Sequence, residues 1–311
     1  MKKKTKMNAD ALCKFIEKII NDKPKNSLSL YFSRRTSSGY ISYLPQIKNE
    51  LQNIIISVVL NHLQPLLDNN IVEYNPIGVA DGEIEMLNMA GVSSITNFID
   101  SISSNKVIKD MNTLKIEKID FYCIDISYDG QRIYLFRQFH KLKQLRKGIL
   151  TQIVNNELSR IDSDFLGIDE ATDLILFDNE IYIFNHISLE RILKYKDKFL
   201  EMTNEALGEL LTRNVITNIE QFADDCCSDI RIMKRFTNIM TKGRLPLFFD
   251  NYDKVAEIVQ ELELDIEFDK KGKLIYRERS QLFHIINLLS DSYFKTLLAD
   301  RKGVAKTEGE L

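Results

Sequence analysis

The chain has 311 residues, 44% of them hydrophobic and 28% charged, with a net charge of -3 at neutral pH. This is the profile of a globular protein long enough for one large domain or two smaller ones, and it excludes a disordered chain and a uniformly basic nucleic-acid coat. No apolar run approaches the roughly 18–20 uncharged residues of a membrane helix; the best candidate, Ile54 to Leu60, is short and is followed by Asn61, His62 and Pro65. Lys2, Lys3, Lys4 and Lys6 look like the start of a signal peptide. Asp10, Lys14, Glu17 and Lys18 interrupt the apolar core such a peptide requires, so a cytoplasmic protein is expected. Cys13, Cys123, Cys226 and Cys227 lack the spacing of a disulfide framework or a zinc site and read as free thiols of a reducing compartment.

In chain order, Leu12, Phe15, Ile16, Ile19 and Ile20 recur at helical spacing and predict an amphipathic helix over residues 8–21, ended by Asp22, Lys23 and Pro24. Leu28, Leu30 and Phe32 alternate with Ser29 and Tyr31 as in a short strand, and residues 46–63 return to helical spacing before Pro65. Residues 64–112 carry turn signals and one predicted helix, 94–103, but no clear period. From Lys118 the pattern becomes that of a strand covered on both faces, and Asp129-Gly130 joins it to Ile133, Leu135 and Phe139 as a hairpin. Further strands are predicted at 149–155, 160–166, 173–178 and 180–186, the last two meeting at a tight turn over Asp178 and Asn179. Beyond Leu189 the period is helical, with one more hairpin over 265–276 and a last helix over 279–298, before a frayed tail from Arg301. The expected class is α+β: a central antiparallel sheet of about six strands, helices before it and a mostly helical C-terminal third. The chain divides into a mixed region 1–112 and a sheet core with C-terminal helices, 113–311, or runs as one continuous domain.

Charge is segregated along the chain. Between Gln131 and Asn156 there is no acid, while Arg132, Arg137, Lys141, Lys143, Arg146 and Lys147 are basic. Such a stretch suits phosphate clamping, since lysine and arginine contacts to a nucleic-acid backbone give affinity without sequence readout. It also suits a solvated loop balancing the acidic run from Glu157 to Glu180. Arg231, Lys234 and Arg235 form a second basic set on one helix face by their three- and four-residue spacing. Arg279 and His284 resemble the arginine–histidine pair of HEPN-type ribonucleases, although the apolar neighbours of His284 favour a hydrogen-bonded boundary residue. The Asp269-Lys270-Lys271 triplet falls in a predicted turn, and Glu190, at a strand-to-helix junction, needs no role beyond the helix dipole. There is no phosphate-binding loop, dinucleotide fingerprint, zinc helix or nucleophile elbow. No cofactor or metal is expected, and binding is favoured over catalysis.

The succession Ile119-Asp120-Phe121-Tyr122, Ile133-Tyr134-Leu135-Phe136-Arg137, Thr172 to Asp178, Ile181-Tyr182-Ile183-Phe184-Asn185 and Leu189-Glu190-Arg191-Ile192 resembles the central region of the KwaB family, the soluble subunit of the Kiwa anti-phage defence system. The resemblance covers residues 115–245 and is looser before 110. It implies a cytoplasmic effector that binds DNA and impedes phage replication and late transcription, and the expected form is a homodimer gripping duplex DNA. It also implies a small membrane partner, KwaA, which recruits the protein to the inner face of the membrane. The family carries no motif that designates DNA-binding residues, so Arg137, Lys141, Lys143, Arg146 and Lys147, with Arg231, Lys234 and Arg235, are assigned on charge. A nuclease using Arg279 and His284, or an adaptor that binds only protein, are the alternatives.

Overall fold

In a computed structural model of the chain, residues 9–21, 27–78, 82–103, 106–139, 151–154, 157–160, 167–296 and 298–305 are described. They fall into two compact units, one drawing on residues 1–74 and 79–195, the other on 75–78 and 196–311.

The first unit opens with helix α1 (Asp10–Asn21), whose Leu12, Phe15, Ile16 and Ile19 form one buried stripe. A hairpin of β1 (Ser27–Thr36) and β2 (Gly39–Tyr43) follows, then α2 (Asn49–Leu66). Pro65, expected to lie beyond this helix, sits in its last turn. There a proline removes a single ladder bond, and the chain ends the helix at once with the Leu67 amide donating to the Leu63 and Gln64 carbonyls. The stretch that had no clear period supplies β3 (Asn70–Glu73), β4 (Glu83–Asn88) and α3 (Ser93–Ser101). Next come the hairpins β5 (Phe121–Tyr128) and β6 (Gln131–Gln138), β7 (Thr151–Val154) and β8 (Glu157–Arg160), and β9 (Leu174–Phe177) and β10 (Glu180–Ile183), and then α4 (His186–Ile192).

Eight of these strands form one sheet in the order β2-β1-β5-β6-β9-β10-β4-β3, antiparallel throughout except for the β3/β4 pair. The predicted antiparallel sheet is therefore present and wider than expected. The two strands predicted at 149–155 and 160–166 do not join it: β7 and β8 pair only with each other, and the second lies earlier, at 157–160. Residues 161–166 lie outside the described residues. Both tight turns are as the sequence requires. Asp129 and Gly130, and Asp178 and Asn179, all have positive φ, from 48° to 79°, the pairing of two left-handed residues that matches the twist of a two-residue hairpin.

Strand alternation sorts the side chains. Leu28, Leu30 and Phe32 of β1, Tyr122, Ile124 and Ile126 of β5, and Ile133 and Leu135 of β6 share the face covered by α1 and α2. On the other face Phe98 of α3 packs against Phe121 and Phe136 at 5.5 and 5.1 Å between ring centroids. Strands from both sides of residue 112 thus share one sheet and one core.

The second unit is mostly helical: α5 (Lys196–Arg213), β11 (Ile216–Thr217), α6 (Ile219–Ser228), α7 (Ile230–Thr241), α8 (Arg244–Asp250), α9 (Val255–Glu261), β12 (Glu267–Phe268), β13 (Leu274–Ile275) and α10 (Leu282–Leu289). Its core centres on Phe222, which meets Tyr276 at 5.1 Å and Phe236 at 6.4 Å. The β12/β13 hairpin turns at Gly272 as predicted. The last helix does not reach 298. It ends at Leu289 because Asp291 takes a left-handed φ of 52° and redirects the chain into β14 (Tyr293–Lys295), which pairs with β15 (Lys302–Val304). Residues 302–304, expected to fray, are held by that pairing. Among the described residues no helix is long and apolar enough to cross a membrane.

Candidate nucleic-acid interface

β6 carries the first two cations of the acid-free run, and both are engaged by acids. Arg137 stands opposite Tyr122 in the β5/β6 register, on the face of Ile133 and Leu135. Its guanidinium donates to Asp169 through Nη2 at 2.8 Å and Nε at 3.1 and 3.2 Å, and to Asp173 through Nη1 at 2.8 Å. Asp173 is buried, and it also accepts from the Gln138 amide at 2.7 Å and from the Asn185 side chain. Tyr122 donates its hydroxyl to Asp169 at 3.0 Å. One cation therefore ties the end of β6 to the segment entering β9 and to the strand–helix junction at Asn185. Burial works against the Arg137 charge, but the hydrogen bonds and charges of the two aspartates more than offset it, and its pKa is raised. With 19% of its side chain exposed, Arg137 holds the base of the basic segment rather than facing solvent.

Arg132, on the opposite face, lies 3.5 Å from Asp125. Asp125 is buried, its Oδ1 accepts no hydrogen bond, and burial pushes its carboxyl up to about 6, with Arg132 acting in the opposite direction. Lys141, Lys143, Arg146 and Lys147 lie outside the described residues.

The second basic set is split by the fold. Arg231 is 76% exposed and is held by the N-cap of its own helix, Asp229, at 2.8 Å. The same carboxylate receives Arg279 at 3.4 Å, itself 56% exposed. Two exposed guanidiniums thus surround one carboxylate, whose pKa falls to about 2, chiefly through the Arg231 hydrogen bond. This pairing joins residues that the sequence reading had assigned to separate motifs. Lys234 and Arg235 follow on the same helix, but their side chains meet other partners. Lys234 sits over the ring of Phe199 at 5.6 Å, and Arg235 packs over Phe283 at 5.5 Å while donating to Asn287 at 2.9 Å. Aromatic rings flanking α7 take up these side chains. His284 shares a 2.7 Å hydrogen bond with the Tyr293 hydroxyl, so the Arg279 and His284 side chains are engaged by different partners. Asp269 accepts from the Lys271 and Lys273 amides and closes the β12/β13 turn.

Sequence reasoning missed a further cluster in the first unit. Glu85 of β4, almost fully buried, lies against His186 at the start of α4, and the ring of Tyr74 stacks beside that histidine at 5.5 Å. Burial raises the Tyr74 phenol strongly. The available signal was a glutamate between two apolar residues, Ile84-Glu85-Met86.

The profile of the Kiwa protein KwaB-like family matches residues 116–299, more than half of the chain. The matched stretch begins just before β5, holds both candidate cation sets and ends beyond α10. No curated protein and no solved structure matches the chain. With the large sheet, the acid-pinned base of β6 and the C-terminal helices in place, the match assigns the chain to the KwaB-like family of Kiwa defence proteins.

Proposed function

We propose that this protein is the DNA-binding effector of a Kiwa-type defence: it grips duplex DNA through the phosphate backbone, as a homodimer, while a KwaA-type membrane partner recruits it to the inner face of the membrane. Bound this way it obstructs phage replication and late transcription. The observation that carries the reading is the acid-free run from Gln131 to Asn156, whose first two cations, both on β6, are fixed by acids and whose remaining four follow in sequence. Lys141, Lys143, Arg146 and Lys147 supply the phosphate contacts. Arg231 with Arg279 forms the second contact patch, in place of the wider set with Lys234 and Arg235. Backbone contacts of this kind position a duplex without reading its bases, which suits an effector that must act on any invading genome. Dimerisation doubles the number of phosphates neutralised and so raises affinity steeply.

The test is fluorescence anisotropy of a labelled random-sequence duplex at about 50 mM salt, for the wild type and for a variant with Lys141, Lys143, Arg146 and Lys147 each changed to glutamate. The expected result is binding by the wild type, a loss of at least tenfold in the variant, and intact DNA at the end of the titration. No binding by the wild type removes the reading, and degraded DNA replaces it with a nuclease.

A further inference from the structure

In the first unit the row Leu28, Leu30, Phe32 on β1 continues, at the next position on the same face, with Arg34. A cation at the end of a buried apolar row breaks the local pattern, and such breaks concentrate at functional sites. Arg34 lines a pocket of about 250 Å³ together with Phe32, Tyr43, Lys115, Lys118 and Ile119. Lys115 and Lys118 are the N-cap and the last residue of the short helical turn that precedes β5. Three cations therefore converge, and no carboxylate lines the pocket among the described residues.

Arg34 differs from several other arginines in its pairing. Arg35, the next residue, donates its backbone amide to Asp120 and lies 3.5 Å from it through its side chain. Arg132, Arg137, Arg231, Arg277 and Arg279 likewise each have a carboxylate. Arg34 has none among the described residues, and its Nε, like that of Arg35, is buried without a hydrogen-bond acceptor. A buried charged donor left unpaired is costly, and three cations around one pocket repel one another; a multivalent anion relieves both terms.

We propose that this pocket binds a phosphomonoester, the dianionic group that ends a free nucleotide or the 5′ end of a nucleic-acid strand. The planar fork of Arg34 takes the phosphate oxygens, and Lys115 and Lys118 neutralise it from the exposed side. The pocket lies just below the roughly 300–1,000 Å³ of drug-sized sites, a volume that suits a phosphate with part of its nucleoside. Phe32, Arg34, Tyr43 and Lys115 all precede the family-matched segment, which starts at residue 116.

Isothermal titration with inorganic phosphate, adenosine 5′-monophosphate and adenosine tests the assignment. The wild type binds the first two and not adenosine. Lys115→Ala with Lys118→Ala, both exposed positions that leave the core intact, weakens phosphate and nucleotide binding at least tenfold, and Arg34→Gln does the same or more. Two single-stranded oligonucleotides, one with a 5′-phosphate and one with a 5′-hydroxyl, separate the sources. Preference for the phosphorylated strand assigns the site to strand ends, and equal affinity for the two assigns it to free nucleotides. Affinity for a duplex with 5′-hydroxyl ends stays within twofold in the lysine variant. Failure of the wild type to bind phosphate or nucleotide, unchanged binding in the lysine variant, or an equal loss of duplex affinity would overturn the proposal.

Discussion

The two units hold their cations in opposite ways. In the first, both arginines of β6 face acids that are themselves buried, Asp125 and Asp173, and the charge of Arg137, 19% exposed, is spent inside the fold. In the second, Arg231 and Arg279 stand exposed around the single carboxylate of Asp229, and the local sum remains positive. A count of basic residues along the chain treats these places alike. Only the location of the counter-ion separates a cation that builds structure from one that faces a polyanion.

Removing Arg137 gives the largest expected effect. Asp169 and Asp173 lose their shared partner, and Asp173 remains buried as an uncompensated charge, so Arg137→Ala lowers unfolding free energy in urea by about 3 kcal/mol. Arg231→Ala, which removes an exposed guanidinium, leaves the urea midpoint unchanged. Equal losses in the two variants would dissolve the distinction between the units.

Asp125 sharpens the comparison through pH. Its folded pKa of about 6 lies above the roughly 3.9 of an unfolded aspartate. Its protonated form therefore favours the fold below about pH 4, and that contribution is lost as pH rises through 6. Asp125→Asn removes the ionisation, so the stability of the variant relative to wild type increases by on the order of 2–3 kcal/mol between pH 4 and pH 7.5. Denaturant midpoints of both proteins across that range measure the difference, and a flat difference would contradict the assignment of the raised pKa.

Asp229 carries a smaller stability effect than Arg137 and an opposite functional one. Asp229→Ala costs about 1 kcal/mol through loss of the α7 N-cap, yet it frees two guanidiniums and raises duplex affinity severalfold at low salt. Weaker binding in this variant would remove Arg231 and Arg279 from the interface.

The periods and turns of the sequence were enough to place the sheet's central hairpins, because Asp129-Gly130 and Asp178-Asn179 are local signals that only one hairpin geometry satisfies. They were not enough for β3 and β4, where Glu83 and Glu85 interrupt the apolar pattern and the pairing is parallel between segments ten residues apart. Tyr293, Phe294 and Leu298 kept a helix-like spacing past Leu289, and the turn at Asp291 left no apolar mark, so the final helix was drawn too long. The candidate sites were less legible. Arg137 and Asp169 are 32 residues apart, and Asp229 and Arg279 are 50 apart. Which acid meets which cation is decided by tertiary packing, and charge patterning cannot report it.

The most direct test of the account is the salt dependence of duplex binding for three proteins: wild type, the Lys141/Lys143/Arg146/Lys147 charge-reversal variant, and Arg231→Glu with Arg279→Glu. Each phosphate contact contributes about -0.9 to the slope of log affinity against log salt. The account predicts a steep wild-type slope that flattens in both variants, while the urea midpoint of Arg231→Glu with Arg279→Glu stays close to that of the wild type. Slopes that do not change in either variant would contradict it.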